Sequence, residues 1–195
     1  MDLSHVVIAS KNPHKIAEMR HVLEETGLDF ELVEDVDWPD VEETEPTLEG
    51  NALLKARAVR DHTGYAVIAD DTGLEVDALG GAPGVVSARY AGDDATYEQN
   101  VARLLSEMEG VEQRSARFLT VIVLIDEAGQ EVVVEGVMEG SITRERRGTN
   151  GFGYDPVFLV DDRTFAEMAT REKNLISHRA KALRALADVV VSQVR

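Results

Sequence analysis

The hydrophobic residues of this chain follow two alternating patterns. Short unbroken apolar runs, typical of buried strands, alternate with longer segments in which apolar residues recur every three or four positions, as on one face of a helix. Near the N-terminus, residues 5–9 predict a strand. The helix predicted next begins at Pro13, after the capping residue Asn12, and ends at Gly27. The chain thus opens as strand, loop and helix.

The same alternation continues through the next segment. Residues 30–33 predict a second strand, and the acidic segment 34–46, which carries two prolines, predicts a loop. Residues 47–62 predict a helix, with a threonine at its start as the capping residue. The apolar run 65–69 predicts another buried strand.

A hairpin interrupts this alternation in the second half of the chain. Apolar segments 118–125 and 131–138 flank a turn, which predicts two antiparallel strands. Three more helices are predicted by residues typical of helix N-termini, at Thr96, Thr164 and Ser177. Strands that alternate with helices around a central hairpin indicate an α/β fold with a mixed sheet.

Composition narrows the classes of protein that fit. A length of 195 residues with 44% hydrophobic content predicts a single domain over residues 1–195. The net charge of −17 disfavours binding to nucleic acid or to an anionic membrane. Only five of the 20 basic residues are lysines, and an acidic, lysine-poor surface is typical of proteins from halophilic organisms. The alternative is an ordinary acidic cytosolic protein.

Targeting signals and cysteines add little to this picture. The chain has no cysteine, which excludes disulfide and thiolate chemistry. It lacks a signal-peptide pattern and an apolar run long enough to span a membrane. A cytoplasmic location is therefore expected.

Two adjacent carboxylates, Asp70 and Asp71, follow the apolar run 65–69 and lead into a glycine-rich segment. Successive strand residues point to opposite faces, so only one of the two readily points into a given cleft. A carboxylate at the end of a buried strand can hold magnesium, accept a proton from water, or do both. The alternative is a simple turn, because aspartate and glycine are common in turns.

The predicted junction between the first strand and the first helix is suited to bind phosphate. Ser10 and Asn12 offer hydrogen bonds, Lys15 lies in the first turn, and the helix N-terminus exposes N–H groups. The glycines of a Walker loop are missing. The alternative is an ordinary capped helix.

An acidic loop could complete a metal site. Glu42 and Glu43 precede the second predicted helix, on which Asn51 and Lys55 lie one turn apart. Magnesium needs only one or two protein carboxylates in addition to water and phosphate oxygens. In so acidic a chain, the alternative is a solvated surface.

Two further segments suggest a site for a flat heterocycle. Phe152 lies between two glycines and precedes Asp155, so an aromatic ring could stack on a base while a carboxylate accepts hydrogen bonds. Basic residues follow near the last predicted helix; they are Lys173, His178 and Arg179. The alternatives are an aromatic turn packed on the core and surface charges.

Taken together, these segments resemble the inosine triphosphate pyrophosphatase family. The shared patterns are SKNPHK, EETEPTLEGNA, ADDTGLEVDALGGAPGVVSARYAG, GFGYDP and SHRAKAL, and they occur in the family's order across nearly the whole chain. The resemblance implies an elongated mixed-sheet α/β fold with two lobes around a central nucleotide-binding cleft. It also implies a homodimer and magnesium-dependent hydrolysis of ITP, dITP and XTP to the monophosphate and pyrophosphate.

The resemblance also implies residue roles. Asp71 corresponds to the catalytic acidic residue, and Glu42 with Asp71 to the Mg2+ ligands, although the loop spacing leaves Glu43 open as the ligand. The substrate-binding positions are Ser10, Lys11, Asn12, Pro13, His14, Lys15, Thr72, Phe152, Gly153, Tyr154, Asp155, Lys173, His178 and Arg179. Two alternatives remain open: a pyrophosphatase for modified pyrimidine triphosphates, and a nucleotide-binding regulatory protein without turnover.

Overall fold

The computed structural model describes residues 3–194 and has a mixed α/β fold, as the sequence predicts. Within that range the helices are α1 Pro13–Thr26, α2 Leu48–Thr63, α3 Tyr97–Glu107, α4 Thr170–Ile176 and α5 His178–Val194. The strands are β1 His5–Ile8, β2 Glu31–Leu32, β3 Ala66–Val76, β4 Pro83–Gly84, β5 Ser115–Ile125, β6 Glu131–Ile142, β7 Phe158–Val160 and β8 Arg163–Thr164.

The strands form a mixed sheet in the order β2-β1-β3-β5-β6-β7-β8, with β4 paired to β3. Strand β1 is parallel to both β2 and β3, whereas β7 is antiparallel to β6 and β8. Strands β5 and β6 are neighbours joined by a tight turn, which the Asp126 N–H closes by donating to the Gln130 carbonyl. The predicted hairpin is therefore confirmed.

The chain divides into two compact units. The first unit comprises residues 1–71, 120–136 and 179–195, and the second comprises residues 72–119 and 137–178. In the first unit, apolar residues of α1 and α5 pack against alternate strand residues such as Ile68 and Ile122. In the second unit, α3 packs into a core rich in aromatic rings. The prediction of one domain over residues 1–195 stays a prediction.

Local sequence signals explain where the helices begin. The Asn12 side chain accepts a hydrogen bond from the His14 N–H at the start of α1, and the Thr47 side chain accepts one from Gly50 at the start of α2. Helix α1 ends at Gly27, whose φ of 70° suits a residue without a Cβ. These predicted caps are confirmed because they depend on short-range hydrogen bonds.

The structure corrects the prediction that the strand ends before the paired aspartates. Strand β3 continues through Asp70 and Asp71 to Val76, so both carboxylates lie inside a strand. Both are buried, which an apolar pattern does not anticipate. The strand continues because Leu74 and Val76 are buried in the core, and because cations and an amide contact the carboxylates, as described below.

Two smaller predictions differ from the structure, and four short elements were not predicted. The predicted strand 30–33 is only two residues long, and the helix predicted after Thr164 is a single 3₁₀ turn with the expected capping box. Helix α4 and the short strands β4, β7 and β8 were not predicted, because segments this short carry no periodicity to read. Among residues 3–194, no helix is both long enough and apolar enough to cross a membrane.

Candidate active site

The start of α1 forms the first part of the site, in the first unit. The Ser10 hydroxyl accepts a hydrogen bond from the Asn12 N–H at 3.2 Å, and Pro13 is the first helical residue. Lys11 and His14 are exposed, and Lys11 pairs with Asp40 at 2.5 Å. The Lys15 side chain instead turns inward and is only 19% exposed.

Asp70 receives cations from two helices. The Asp70 Oδ2 lies 3.1 Å from Lys15 Nζ of α1, and it accepts hydrogen bonds from Arg179 Nε and Nη2 of α5 at 3.2 and 3.1 Å. Burial by itself would raise the pKa of Asp70. The positive charges of Lys15, Arg179 and Lys55 outweigh burial and hold the pKa far below its ordinary value. Asp70 is therefore ionised throughout the neutral range.

Arg179 has a second carboxylate partner that the sequence analysis missed. Its Nη1 donates to Glu18 of α1, a residue that is 8% exposed. The guanidinium thus donates to Asp70 through Nε and Nη2 and to Glu18 through Nη1. One sequence signal could have identified Glu18. It lies three residues after Lys15, which puts both side chains on one face of α1.

Asp71 has a different partner from Asp70, as the strand alternation predicts. Its Oδ2 accepts a hydrogen bond from Asn51 Nδ2 of α2 at 3.3 Å. The side-chain oxygen of the same residue, Asn51 Oδ1, accepts a hydrogen bond from the Glu45 N–H at 2.9 Å, which ties the acidic loop to α2. Asn51 is fully buried, so its amide is held in one orientation beside Asp71.

Lys55 links the acidic loop to the paired aspartates. Its Nζ lies 2.5 Å from Glu43 Oε1. Desolvation would lower the pKa of Lys55, but the carboxylates of Asp70, Glu43 and Asp71 together raise it. Glu42 is exposed, so the loop carboxylate that the structure joins to this group is Glu43.

We call this set of residues the charged cluster; it consists of Lys15, Glu18, Glu43, Asn51, Lys55, Asp70, Asp71 and Arg179. It holds three cations and four carboxylates, an excess of one negative charge. Buried carboxylates can hold a divalent cation or activate water, and lysines and a helix N-terminus can bind phosphate. The cluster is therefore chemically suited to act on a polyphosphate.

The second unit carries a separate group built around a buried lysine. Lys173 Nζ of α4 lies 2.6 Å from Asp155 Oδ2, and both side chains are buried. The same nitrogen lies 5.0 Å from the centre of the Phe152 ring and 5.5 Å from that of Phe165. The Tyr97 ring lies 5.9 Å from Phe152. We call these five residues the aromatic cluster.

The turn that carries Phe152 depends on glycine. The Phe152 N–H donates to Asp155 Oδ2 at 2.9 Å, which folds the backbone back over the carboxylate. A Cβ on Gly151, whose φ is +73°, would lie 1.9 Å from that same oxygen. Gly153 also has a positive φ, of +61°. The fold of the turn therefore requires glycine at Gly151 and favours it at Gly153.

Two predicted site residues of the second unit, Tyr154 and His178, have contacts that also stabilise its fold, and a third, Thr72, lies beside Asp71 in sequence. Tyr154 is buried, and its hydroxyl donates to the Ser87 carbonyl at 2.9 Å. His178 is buried and stacks on Phe118 with ring centres 4.6 Å apart. Thr72 is half-buried and directly follows Asp71 in β3. Their roles in substrate binding stay predictions.

The first unit thus combines a buried aspartate pair with a capped helix N-terminus beside a lysine, and the second unit carries an aromatic turn. A sequence profile of the Ham1 family matches residues 6–189 of this chain. The chain belongs to the Ham1 family. The relationship predicted from the sequence motifs is therefore confirmed.

Individual relatives are similar over nearly their whole length. A dITP/XTP pyrophosphatase of Bacillus licheniformis is 50% identical over 193 residues, which covers 96% of this chain and 98% of the relative. Among solved structures, a HAM1 protein of Coxiella burnetii has a TM-score of 0.86 and 43% identity, covering 97% of this chain and 100% of that one. A dITP/XTP pyrophosphatase of Mycobacterium abscessus has a TM-score of 0.71 and 46% identity, covering 93% and 97%.

Proposed function

We propose that this protein is a nucleoside-triphosphate pyrophosphatase that hydrolyses ITP, dITP and XTP to the monophosphate and pyrophosphate. Such an activity removes non-standard purine nucleotides from the nucleotide pool. Family membership and the activity named for the Bacillus licheniformis relative support the proposal. The observation that carries it is the buried Asp71, fixed by Asn51 beside a lysine and an acidic loop.

That observation distinguishes an enzyme from a protein that only binds nucleotides. A regulatory protein needs an aromatic platform and cations, but it has no use for a buried carboxylate held beside three others. Burying ionised groups is costly unless each is paired and hydrogen-bonded. The charged cluster keeps three buried carboxylates at this cost, those of Glu18, Asp70 and Asp71, which favours a catalytic role.

The chemistry follows from the groups present. Asp71 orients a water molecule and accepts its proton while the water oxygen attacks the α-phosphorus. The bond between that phosphorus and the bridging oxygen breaks, and pyrophosphate leaves. Lys15 and the N–H groups at the start of α1 stabilise the charge that develops on the phosphate oxygens.

Among residues 3–194, no group of three or more histidine, aspartate or glutamate side chains is placed to hold a metal ion, but magnesium needs only one or two protein carboxylates beside water and phosphate oxygens. The carboxylate oxygens of the charged cluster and its excess of one negative charge suit such a hard cation. When bound, the ion would offset the negative charge of the triphosphate. Asp71 would hold it together with Glu42 or Glu43. A metal titration of Glu42→Gln and Glu43→Gln identifies the ligand, because only its loss raises the metal concentration needed for half-maximal activity.

Base choice rests on the direction of hydrogen bonds. Hypoxanthine and xanthine carry a 6-keto acceptor, whereas adenine carries a 6-amino donor. A donor such as His178 would satisfy the keto oxygen but leave the amino group unpaired. An unpaired buried polar group costs roughly 1–3 kcal/mol, or about 5- to 150-fold per mismatch. Phe152 would stack on the base, and Asp155 and Lys173 would fix its polar edge.

A pyrophosphate-release assay tests the function directly. The panel is ITP, dITP, XTP, ATP, GTP, dUTP and a methylated UTP, each with and without magnesium. The proposal predicts turnover of the first three and not of ATP, dUTP or the methylated UTP, and only with the metal. Guanine also carries a 6-keto acceptor, so GTP tests separately whether its 2-amino group is rejected. Preferred turnover of the pyrimidine nucleotides would favour the modified-pyrimidine alternative, and binding of ITP without turnover would favour the regulatory one.

Two features implied by the family complete the proposal. We expect a homodimer, which light scattering of the purified protein tests. We also expect a cytoplasmic location, which fractionation of the source cells tests.

A further inference from the structure

Glu18 is a buried charged residue to which the proposed reaction assigns no role. It lies on α1 among apolar neighbours, between the half-buried Lys15 and the buried core residue Met19. Its carboxylate accepts a hydrogen bond from Arg179 Nη1. A buried glutamate is uncommon unless its charge is paired.

The arrangement around Arg179 connects Glu18 to the paired aspartates. Arg179 Nε and Nη2 donate to Asp70 Oδ2, while Nη1 donates to Glu18. The guanidinium is planar and rigid, so fixing one nitrogen fixes the direction of the other two. Lys15 reaches the same Asp70 oxygen at 3.1 Å. Helix α1 therefore supplies both Glu18 at one end of this chain of contacts and Lys15 at the other.

These contacts connect Glu18 to the residues that the proposed function places next to the reacting phosphate. Asp70 precedes Asp71 in β3, and its position sets that of Lys15 Nζ. Arg179 is 3% exposed at its side chain, so water cannot replace a lost partner at Nη1. Without the Glu18 carboxylate, the guanidinium would rotate or recruit another acceptor, and the hydrogen bonds to Asp70 would lose their alignment.

We infer that Glu18 is a positioning residue for catalysis: through Arg179 it fixes Asp70 and thereby Lys15 in the orientation that pyrophosphate release requires. This inference rests on the proposed function. It differs from a purely structural role, in which Glu18 would stabilise the contact between α1 and α5 and leave the turnover of the folded enzyme unchanged.

The test compares Glu18→Gln with a matched control on the same helix. The control is Glu25→Gln, because Glu25 is an exposed glutamate of α1 that lies 3.8 Å from Arg184. Both variants are assayed with dITP and magnesium well below their melting temperatures. We expect Glu18→Gln to lower kcat about 10- to 100-fold with little change in KM, as losing the support of a site residue typically does. Glu25→Gln should match the wild type.

The route through Asp70 is tested by combining substitutions. If Glu18 acts through Arg179 and Asp70, Glu18→Gln lowers kcat much less in an Asp70→Asn background than in the wild type. Equal losses in the two backgrounds, or an unchanged kcat in folded Glu18→Gln, would overturn the inference.

If Glu18→Gln does not fold, Glu18→Asp is the deciding variant, because it keeps the charge but shortens the side chain. It should then lower kcat without raising KM, and a wild-type kcat would overturn the inference. An inactive wild type would instead refute the proposed function.

Discussion

The charged cluster of the first unit and the aromatic cluster of the second bury lysines in different ways. Lys15 pairs with Asp70, which also pairs with Arg179, and Lys55 interacts with the carboxylates of Asp70, Glu43 and Asp71. The charge of the first cluster is therefore shared among several groups. Lys173 has one carboxylate, Asp155, and two aromatic rings nearby. The first arrangement can redistribute charge when a polyphosphate and a cation arrive. The second presents a ring beside one fixed ion pair, which suits a flat, neutral base.

This contrast predicts that damage to the two clusters will have different kinetic signatures. Loss of a group in the charged cluster should lower kcat, because the proposed function has those groups act on developing charge. Loss of a group in the aromatic cluster should raise KM and change base preference, because the proposed function has those groups bind the substrate before and during the reaction alike.

The largest effect is expected from Asp71→Asn. Removing the proposed base and metal ligand should lower kcat by about 10²- to 10⁴-fold, while the amide keeps the size of the side chain and the fold. Asp61→Asn is the control, because Asp61 is an exposed aspartate of α2. Circular dichroism checks the fold and pyrophosphate release gives the rate. Near-normal turnover in Asp71→Asn would remove the proposed role.

A smaller effect is expected from Phe152→Ala. Stacking of a base on an aromatic ring is worth about 1–3 kcal/mol, so KM for dITP should rise about 5- to 150-fold with kcat less affected. Phe152→Tyr keeps the ring and should stay close to the wild type. A fall in kcat at unchanged KM would contradict the proposal that the aromatic cluster binds the base and the charged cluster carries out catalysis.

Acid unfolding tests the ion pairs of Asp70 without substrate or metal. The pKa of Asp70 is held below its ordinary value of 3.8 in the folded protein. Its ionised form therefore stabilises the fold above that pH, and the contribution is lost as the pH falls through the folded-state pKa. The difference in free energy of unfolding between wild type and Asp70→Asn should thus shrink as the pH is lowered below 3.8. A pH-independent difference would contradict the assignment.

Salt gives the smallest and least local effect. The net charge of −17 means that the many carboxylates repel one another, which destabilises the folded state. The halophilic interpretation predicts that salt screens this repulsion, stabilises the fold and raises activity. Urea unfolding at roughly 0.1 M and 1 M potassium chloride compares screening lengths of about 10 Å and 3 Å. A higher urea midpoint in 1 M salt is expected. Equal midpoints would favour an ordinary acidic protein.

Much of the fold could be predicted from the sequence, and the sequence also named several residues that the structure brings together, such as Lys15, Asp70 and Arg179. The caps at Asn12 and Thr47 depend on neighbours within three residues, and the α/β class depends on periodicity along single segments. The paired aspartates and the turn around Phe152 were visible because glycine and charge stand out against apolar runs.

What the sequence alone determined was local: which of the longer segments form helices and strands, where the helices α1 and α2 begin, and which chemical groups the chain carries near those points. Only the tertiary structure decided the partners. It extended β3 through Asp70 and Asp71, selected Glu43 as the partner of Lys55, and joined Arg179 to Glu18 and Asp70. The physical reason is that burial makes each of these charges depend on groups far away in the sequence, and no local pattern records which distant group will neutralise it.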